Sequence, residues 1–460
     1  MKVKKITCIA LIIMFACGMH AQNDDWYYTE GRFKPEIRLV FKIKNTLKVK
    51  RENYPVVIKR KDFPYPDEIP MRMTVVDPSL PPYEGPSELV LAQYGGHQLR
   101  AETNGHALFR QFDDLDKDGI WDELFFQVDL EPDEEKMFYV YMGENGQGWN
   151  KHFTHTNIGN YCRHEVPFWE SEHVGWKHWF SGSADVYAKR KPVLMAHRLY
   201  MENYDGYEVQ MFNADWGTDI QQVAETMGGG AVCLYEHAEY PDSASLPRFT
   251  AIQNEKFHGS MYNAGPISDT RYANEVISNG PVRSIIKIKT MNWNTEAGSY
   301  SIEQYYTVYA HHNYSTCEVK FKQFDTKKPG VKMACGIRKK PKYAEELYQK
   351  DGIIISSGPE VIKDPEDIDN REEVHIPFVG KALVVKDIYK PEYQFAKNLG
   401  ENHTFKVEPD SENRYEYILF AAWSEGEVLN TKIDFEEYVK QTTLEFNNPA
   451  TISFIRNEEK

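Results

Sequence analysis

Three successive runs, "VRSIIKIKTMNW" (282–293), "YSIEQYYTVYA" (300–310) and "STCEVKFKQF" (315–324), alternate apolar with polar side chains and are rich in β-branched and aromatic residues. A period of two sends neighbouring side chains to opposite faces, so each run reads as a strand with one wet and one buried side. Gly280-Pro281 before the first run and Asn294 to Gly298 after it supply turns between antiparallel neighbours. "KALVVKDIY" and "RYEYILFAAW" repeat the pattern further on. A long antiparallel meander of this sort builds sandwiches, so the expected fold class is all-β. The expectation is one large or two fused antiparallel β-sandwiches with a few short helices.

Two segments carry helical features. "DWGTDIQQVAETMGGG" sets Ile220, Val223, Ala224 and Met227 at helical spacing and ends in glycines suited to a C-terminal cap. Near the end, Asp434 with Glu437 makes a capping-box-like start to "FEEYVKQ". Residues 325–373, rich in Lys, Pro, Glu and Asp, are expected to hold a hairpin and exposed loops.

The first residues, MKVKKITCIALIIMFACGMHAQ, join a positive end to an apolar run and then a small-residue cleavage site after Ala21. This is the pattern of a secretory signal over 1–21, with a lipoprotein anchored at Cys17 as the alternative. The remainder, 22–460, is expected to be a periplasmic domain without a membrane span. A formal net charge of −15 argues against nucleic acid or an anionic membrane as partner, although a local basic pocket still permits an anionic substrate. Cleavage leaves Cys162, Cys233, Cys317 and Cys335 with no CxxC pair, so a thiolate zinc site is not expected. Export permits a bridge, and Cys317 with Cys335 is the candidate; four buried thiols are the alternative.

"DDLDKDGIWDE" (113–123) is the most regular polar motif. Asp114, Asp116 and Asp118 alternate, Gly119 permits a sharp turn, and Asp122 follows, with the Ile120 carbonyl as a further oxygen donor. Hard oxygen ligands at that spacing suit a structural Ca2+. Phe125 stands where an EF-hand needs Glu, and the flanks read as strands. A solvated acidic hairpin turn therefore remains the alternative.

"YCRHEVPFWESEHVGWKHWF" (161–180) gathers Arg163, His164, Glu170, His173 and His178 among Trp169, Trp176 and Trp179. Extended, it would place His164 and Glu170 on one face and Arg163 and Trp169 on the other. Aromatic faces stack on sugars, and Arg and His suit a carboxylate or sulfate. Asp185, Tyr187 and Lys189 follow within a short distance. Asp215-Trp216 opens the first expected helix, where its amides could bind an anion or Asp215 could simply cap. Arg283 is either a carboxylate clamp or a strand ion pair.

"DDLDKDGIWDELFFQVDL", "PFWESEHVGWKHWF", "DVYAKRK", "ADWGTDIQQVAETMGGGAVCLY", "NGPVRS" and "FAAWSEGEV" resemble, in order, the bacterial family of unknown function numbered 4861. The resemblance implies a galactose-mutarotase-like supersandwich and a setting in Bacteroidetes polysaccharide utilisation. Within the family the chain is similar to dehydratases of ulvan degradation. These remove water from a non-reducing-end uronic acid and leave a 4,5-unsaturated sugar, with no cofactor required for the chemistry. For that reaction the residue chemistry suggests Arg163 and Arg283 for the carboxylate, His164 as base and Tyr187 as acid. Lys189 would bind a second anion, and Trp169 would stack on the sugar. The expected ligand is an anionic uronic-acid oligosaccharide, sulfated or unsulfated. Rivals stay open: a polysaccharide lyase that expels a glycosyl group, a glycoside hydrolase using Glu170 with Asp185 or Asp215, and a non-catalytic sugar binder.

Overall fold

The structure is a computed structural model that describes residues 26–27, 34–64, 66, 73–82, 106–144, 151–161, 164–179, 182–196, 216–221, 223, 226–247, 269–339, 344–363 and 373–459. The signal segment, Cys162, Arg163 and Asp215 lie outside the described residues. Of His164 only the backbone is described.

The alternating runs form antiparallel strands arranged in five sheets. The largest has eight strands, and its centre is the meander anticipated above: Arg283–Asn294, Gly298–Tyr309 and Tyr314–Thr326, followed in space by Arg414–Trp423 and Glu373–Val385. Along Gly298–Tyr309, buried and half-buried positions alternate strictly. Tyr300, Ile302, Tyr306 and Val308 enter the main core. Facing them are a five-stranded sheet, contributing Trp169, Trp176 and Val186, and a four-stranded sheet, contributing Val232, Cys335 and Phe405. These two sheets touch through bridges from Ser183 to Ala231 and from Ala184 to Gly228. Together they form the second layer of an all-β sandwich.

A separate core holds Leu39, Phe41, Val56, Trp121, Phe126 and Phe138. It lies between a four-stranded sheet and the three-stranded sheet of Arg51–Lys59, Glu123–Leu130 and Arg110–Asp113. In the four-stranded sheet Lys34–Lys44 pairs with Thr451–Glu459 on one side and Glu135–Glu144 on the other. His312 fastens the two sandwiches, since its ring nitrogens bond the Asn53 carbonyl and the Tyr438 hydroxyl, each at 2.9 Å.

The two helical expectations diverge. Lys432–Asn447 is an α-helix, the only one among the described residues, and it runs beyond "FEEYVKQ" at both ends. Thr431, not Asp434, caps it: the Thr431 hydroxyl accepts from the Asp434 N–H at 3.2 Å. The described part of "DWGTDIQQVAETMGGG" forms no helix. Gly217–Asp219 is instead a strand against Ala184–Lys189. The reason is Gly217, at φ +142°, where an added Cβ would stand 1.9 Å from the Ala188 carbonyl oxygen. Only glycine permits that approach. Ile220, Val223 and Met227 are all buried, so their helical spacing reflects core contacts made from an irregular chain.

Cys317 and Cys335 are free, buried thiols within the main core, and no disulfide joins them. Burial pushes the Cys317 thiol well up, which keeps it protonated. In the region 325–373, Glu346–Lys350 and Ile353–Lys363 form the expected hairpin. No helix among the described residues is long and apolar enough to cross a membrane.

Candidate functional site

Most of the sequence-selected residues fall on the five-stranded sheet, and period two sorts them. Val174, Trp176, Ala184, Val186 and Ala188 face the main core. The opposite face carries Phe168, Glu170, Lys177, Asp185, Tyr187, Lys189 and Asp219, brought together by the pairings Phe168–Lys177, Lys177–Asp185 and Tyr187–Asp219. All seven are buried. A sheet face that is both polar and buried needs every charge answered, and it divides into two groups.

The first is Glu170 with Lys189. The ammonium bonds Glu170 directly and also donates to the carbonyls of Ser171 at 2.6 Å and Val193 at 2.7 Å. The carboxylate accepts from the N–H groups of Met195 at 3.0 Å and Ala196 at 2.7 Å, and lies 3.3 Å from His155 Nδ1. Burial opposes both charges and draws Lys189 down. Burial works against the Glu170 carboxylate too, but Lys189, His155 and the Met195 N–H hold it below the usual range. Every donor of Lys189 is used within the protein. The pair is a lock that folds 193–196 over Phe168 and Tyr187, where a substrate anion site and a hydrolase carboxylate had been expected.

The second group is Lys177, Asp185, Tyr187 and Asp219. Lys177 donates to the Tyr187 hydroxyl and lies 3.2 Å from Asp185, which also accepts from Trp179 Nε1. Asp219 accepts from the Gln221 N–H at 2.8 Å. Asp185 thus pairs with the ammonium directly, while Asp219 feels its charge without an ion pair to it among the described residues. Burial raises Asp185 despite the attraction of Lys177. Burial, and then the neighbouring Asp185, pushes Asp219 well above the usual carboxyl range. The cluster thus sets two carboxyls raised above their usual range beside a phenol bonded to a lysine in one buried site. Trp179 and Asp219, each 7% exposed, are its least covered members. Trp216 is 6.1 Å from Tyr187, centroid to centroid, and packs over the ring with Met195 and Ala196.

Other expectations are corrected. Trp169 does lie on the reverse face of its strand from Glu170, but that face is core. It is fully buried, stacks on Tyr306 at 4.3 Å and donates Nε1–H to Ser315 at 3.0 Å, leaving no surface for a sugar. Arg283 lies in another place altogether. Its Nε donates to Asp113 at 2.8 Å and Nη2 to Glu123 at 2.9 Å, with the Phe125 ring 4.5 Å beneath the guanidinium. Of its two readings, the strand ion pair holds: Arg283 ties the acidic hairpin to the largest sheet. Sequence reasoning missed Lys177 and Asp219. The helical reading of 215–230 concealed Asp219, because only a strand there sets it beside Tyr187.

Within the acidic loop, Asp114, Asp116 and Asp122 each offer an oxygen within 4.8 Å of the others. Loop amides organise it: Gly119 N–H donates to Asp114 at 2.9 Å and Leu115 N–H to Asp122 at 2.7 Å. Asp118 is turned to the Ile120 N–H at 2.7 Å and does not join the three. The second Asp114 oxygen, Oδ1, is buried with no hydrogen-bond partner among the described residues.

Fold and cluster define an all-β sandwich protein with a buried acid, ammonium and phenol centre. The chain belongs to the family described as a domain of unknown function, DUF4861, which matches residues 43–452. No curated protein matches it. Among solved structures, an alpha-mannosidase from Enterococcus faecalis is similar at 10% identity and a TM-score of 0.44, over 92% of this chain and 46% of that one. A protein of glycosyl hydrolase family 38 from Enterococcus faecalis is similar at 10% identity and a TM-score of 0.43, over 92% of this chain and 48% of that one. The chain spans less than half the length of either structure.

Proposed function

We propose that the protein is a periplasmic carbon–oxygen lyase that removes water from the non-reducing-end uronic acid of ulvan-type oligosaccharides. The observation that carries the reaction is the Lys177, Asp185, Tyr187 and Asp219 cluster. Elimination needs a base for H5, an acid for the departing 4-hydroxyl and positive charge near the sugar carboxylate. The Asp185 carboxylate, paired with Lys177, takes H5. The C–H electron pair becomes the C4–C5 double bond, and the C4–O bond breaks as Tyr187 gives its phenolic proton to the leaving hydroxyl, with Lys177 beside the resulting phenolate. A proton passing from Asp185 to Tyr187 restores both groups. The substrate class rests on the resemblance of the chain's motifs to ulvan dehydratases, and the compartment on its first 21 residues. Incubation with saturated-end ulvan oligosaccharides should produce ultraviolet absorbance from the conjugated enol-carboxylate and a product lighter by one water. Absence of both from every uronate-ended oligosaccharide would sink the reading.

One observation favours a second reading. Asp185 and Asp219 are two buried carboxyls whose proximity raises Asp219 well above the usual range, a pairing that also suits hydrolysis of a glycosidic bond. Shortened oligosaccharides without the new chromophore would decide for it.

The acidic loop is proposed as a structural Ca2+ site held by Asp114, Asp116 and Asp122. The partnerless Asp114 oxygen and the all-oxygen donor set fit a hard cation. The ion would take no part in the chemistry and would brace the hairpin that Arg283 anchors. Calcium should raise the melting midpoint and chelator lower it, with Asp114→Asn abolishing the difference. Identical melting curves with and without chelator would exclude the ion.

A further inference from the structure

The outer face of the eight-stranded sheet, turned away from both cores, holds a groove of about 870 Å³. It is closed at one end by the helix Lys432–Asn447 through Thr442 and Phe446, and at another by the acidic loop through Leu115. Its floor continues the alternation of Gly298–Tyr309. The even-numbered side chains are core, and the odd-numbered Tyr305, Thr307 and Tyr309 line the groove, all half-buried. An outer sheet face facing only water would carry charged and small polar residues. This one offers aromatic surface and hydroxyls together, continued by Thr316 on the neighbouring strand.

The charges of the groove select the ligand. Glu318 and Glu416 stand directly opposite each other on adjacent strands, and Glu445 and Asp387 add two further carboxyls to the lining. The one lysine of the lining, Lys386, is already bonded to Glu416. Burial raises the Glu318 carboxyl against the pull of Arg414, and the neighbouring Glu416 adds to the rise. A carboxylate or sulfate ligand would meet four acids and no lysine that is not already bonded. A polyol without charge would meet stacking surface, hydroxyls and acceptors.

We propose that this groove is a second carbohydrate site that binds uncharged sugar units, with the Tyr305 ring as its stacking surface and Thr307 and Glu318 as hydrogen-bonding groups. It is separate from the Lys177 cluster, which lies on the far layer of the sandwich, and its existence does not depend on the reaction proposed there. The volume lies within the range of pockets that enclose small ligands and accommodates a few sugar rings.

Titration calorimetry of the full chain against neutral cello-, xylo- and manno-oligosaccharides of two to six units tests this, with glucuronate oligosaccharides as the charged arm. At least one neutral series should bind. Tyr305→Ala and Thr307→Val should each weaken that binding by roughly tenfold or more while leaving the melting midpoint near that of the wild type. Glucuronate oligosaccharides should bind to the groove at least tenfold more weakly, and Tyr305→Ala should leave any binding they show unchanged. Failure of every neutral series to bind overturns the proposal. So does neutral binding indifferent to both substitutions, or glucuronate binding lost together with neutral binding in Tyr305→Ala. Because these are binding measurements, they stand whether or not water is eliminated at the cluster.

Discussion

Glu170 with Lys189 and Lys177 with its acids occupy the same buried face of the same sheet, within one strand's width of each other. In the first group one ammonium meets one carboxylate, and backbone groups satisfy what remains. In the second, one ammonium is engaged by Asp185 and a phenol while a second buried carboxyl, Asp219, has no ion-pair partner of its own among the described residues, and burial raises it well above the usual range. Burial is equal in the two groups; completeness is not. A fully answered buried ion pair is architecture, whereas an over-supplied one stores titratable protons where water does not reach, which is what acid–base chemistry needs.

The comparison can be broken most sharply by activity. Tyr187→Phe should lower turnover of the uronate substrate by about 10²–10⁴-fold, the usual range for a proton-transfer group, with little change in melting midpoint. A large melting change with unaltered turnover would make the second group architectural as well. Lys189→Met should do the reverse, leaving Glu170 buried without its counter-ion and lowering stability by about 3–5 kcal/mol. A urea unfolding curve within error of the wild type would show that the pair is no lock.

His312 sharpens the contrast, since it is satisfied only while neutral. Burial lowers it to about 4 from an ordinary 6.5. Its neutral form is bound to Asn53 and Tyr438, so its contribution is full above pH 6.5. As the pH falls towards 4, the unfolded chain takes up a proton that the folded one refuses, and stability declines by up to roughly 3 kcal/mol. His312→Gln should flatten that part of the stability profile, measured by unfolding from pH 7 to pH 4. The smallest effect is expected of Asp219→Asn. A carboxyl raised in the folded state favours folding at low pH and loses that advantage as the pH rises. The amide should therefore melt progressively above the wild type as pH increases.

The meander was legible in the sequence because alternation over 282–324 has a single structural answer, and the match to DUF4861 was legible from motifs in order. The site was legible in outline: Asp185 and Tyr187 were singled out and do meet. Its centre was not, because the spacing of Ile220, Val223 and Met227 imitates a helix, while the decisive signal at Gly217 is a backbone approach visible only once the neighbouring strand is in place. Trp169 shows the complementary limit. Alternation assigned its side of the strand correctly, yet it does not say whether that side meets a sugar or a second sheet. Arg283 was left between two roles because nothing local shows that Asp113 and Glu123, some 170 and 160 residues away in sequence, are its partners.

The pairing of Lys34–Lys44 with Thr451–Glu459 also fixes an order of events during synthesis. Arg38 and its ion-pair partner Glu458 are 420 residues apart. The Lys34–Lys44 strand is thus made long before its partner, and until residues 451–459 emerge that side of it presents an open hydrogen-bonding edge. A protease that removed Thr451–Glu459 would bare that side again. The integrity of this sheet is in this sense held by a strand made some 420 residues later.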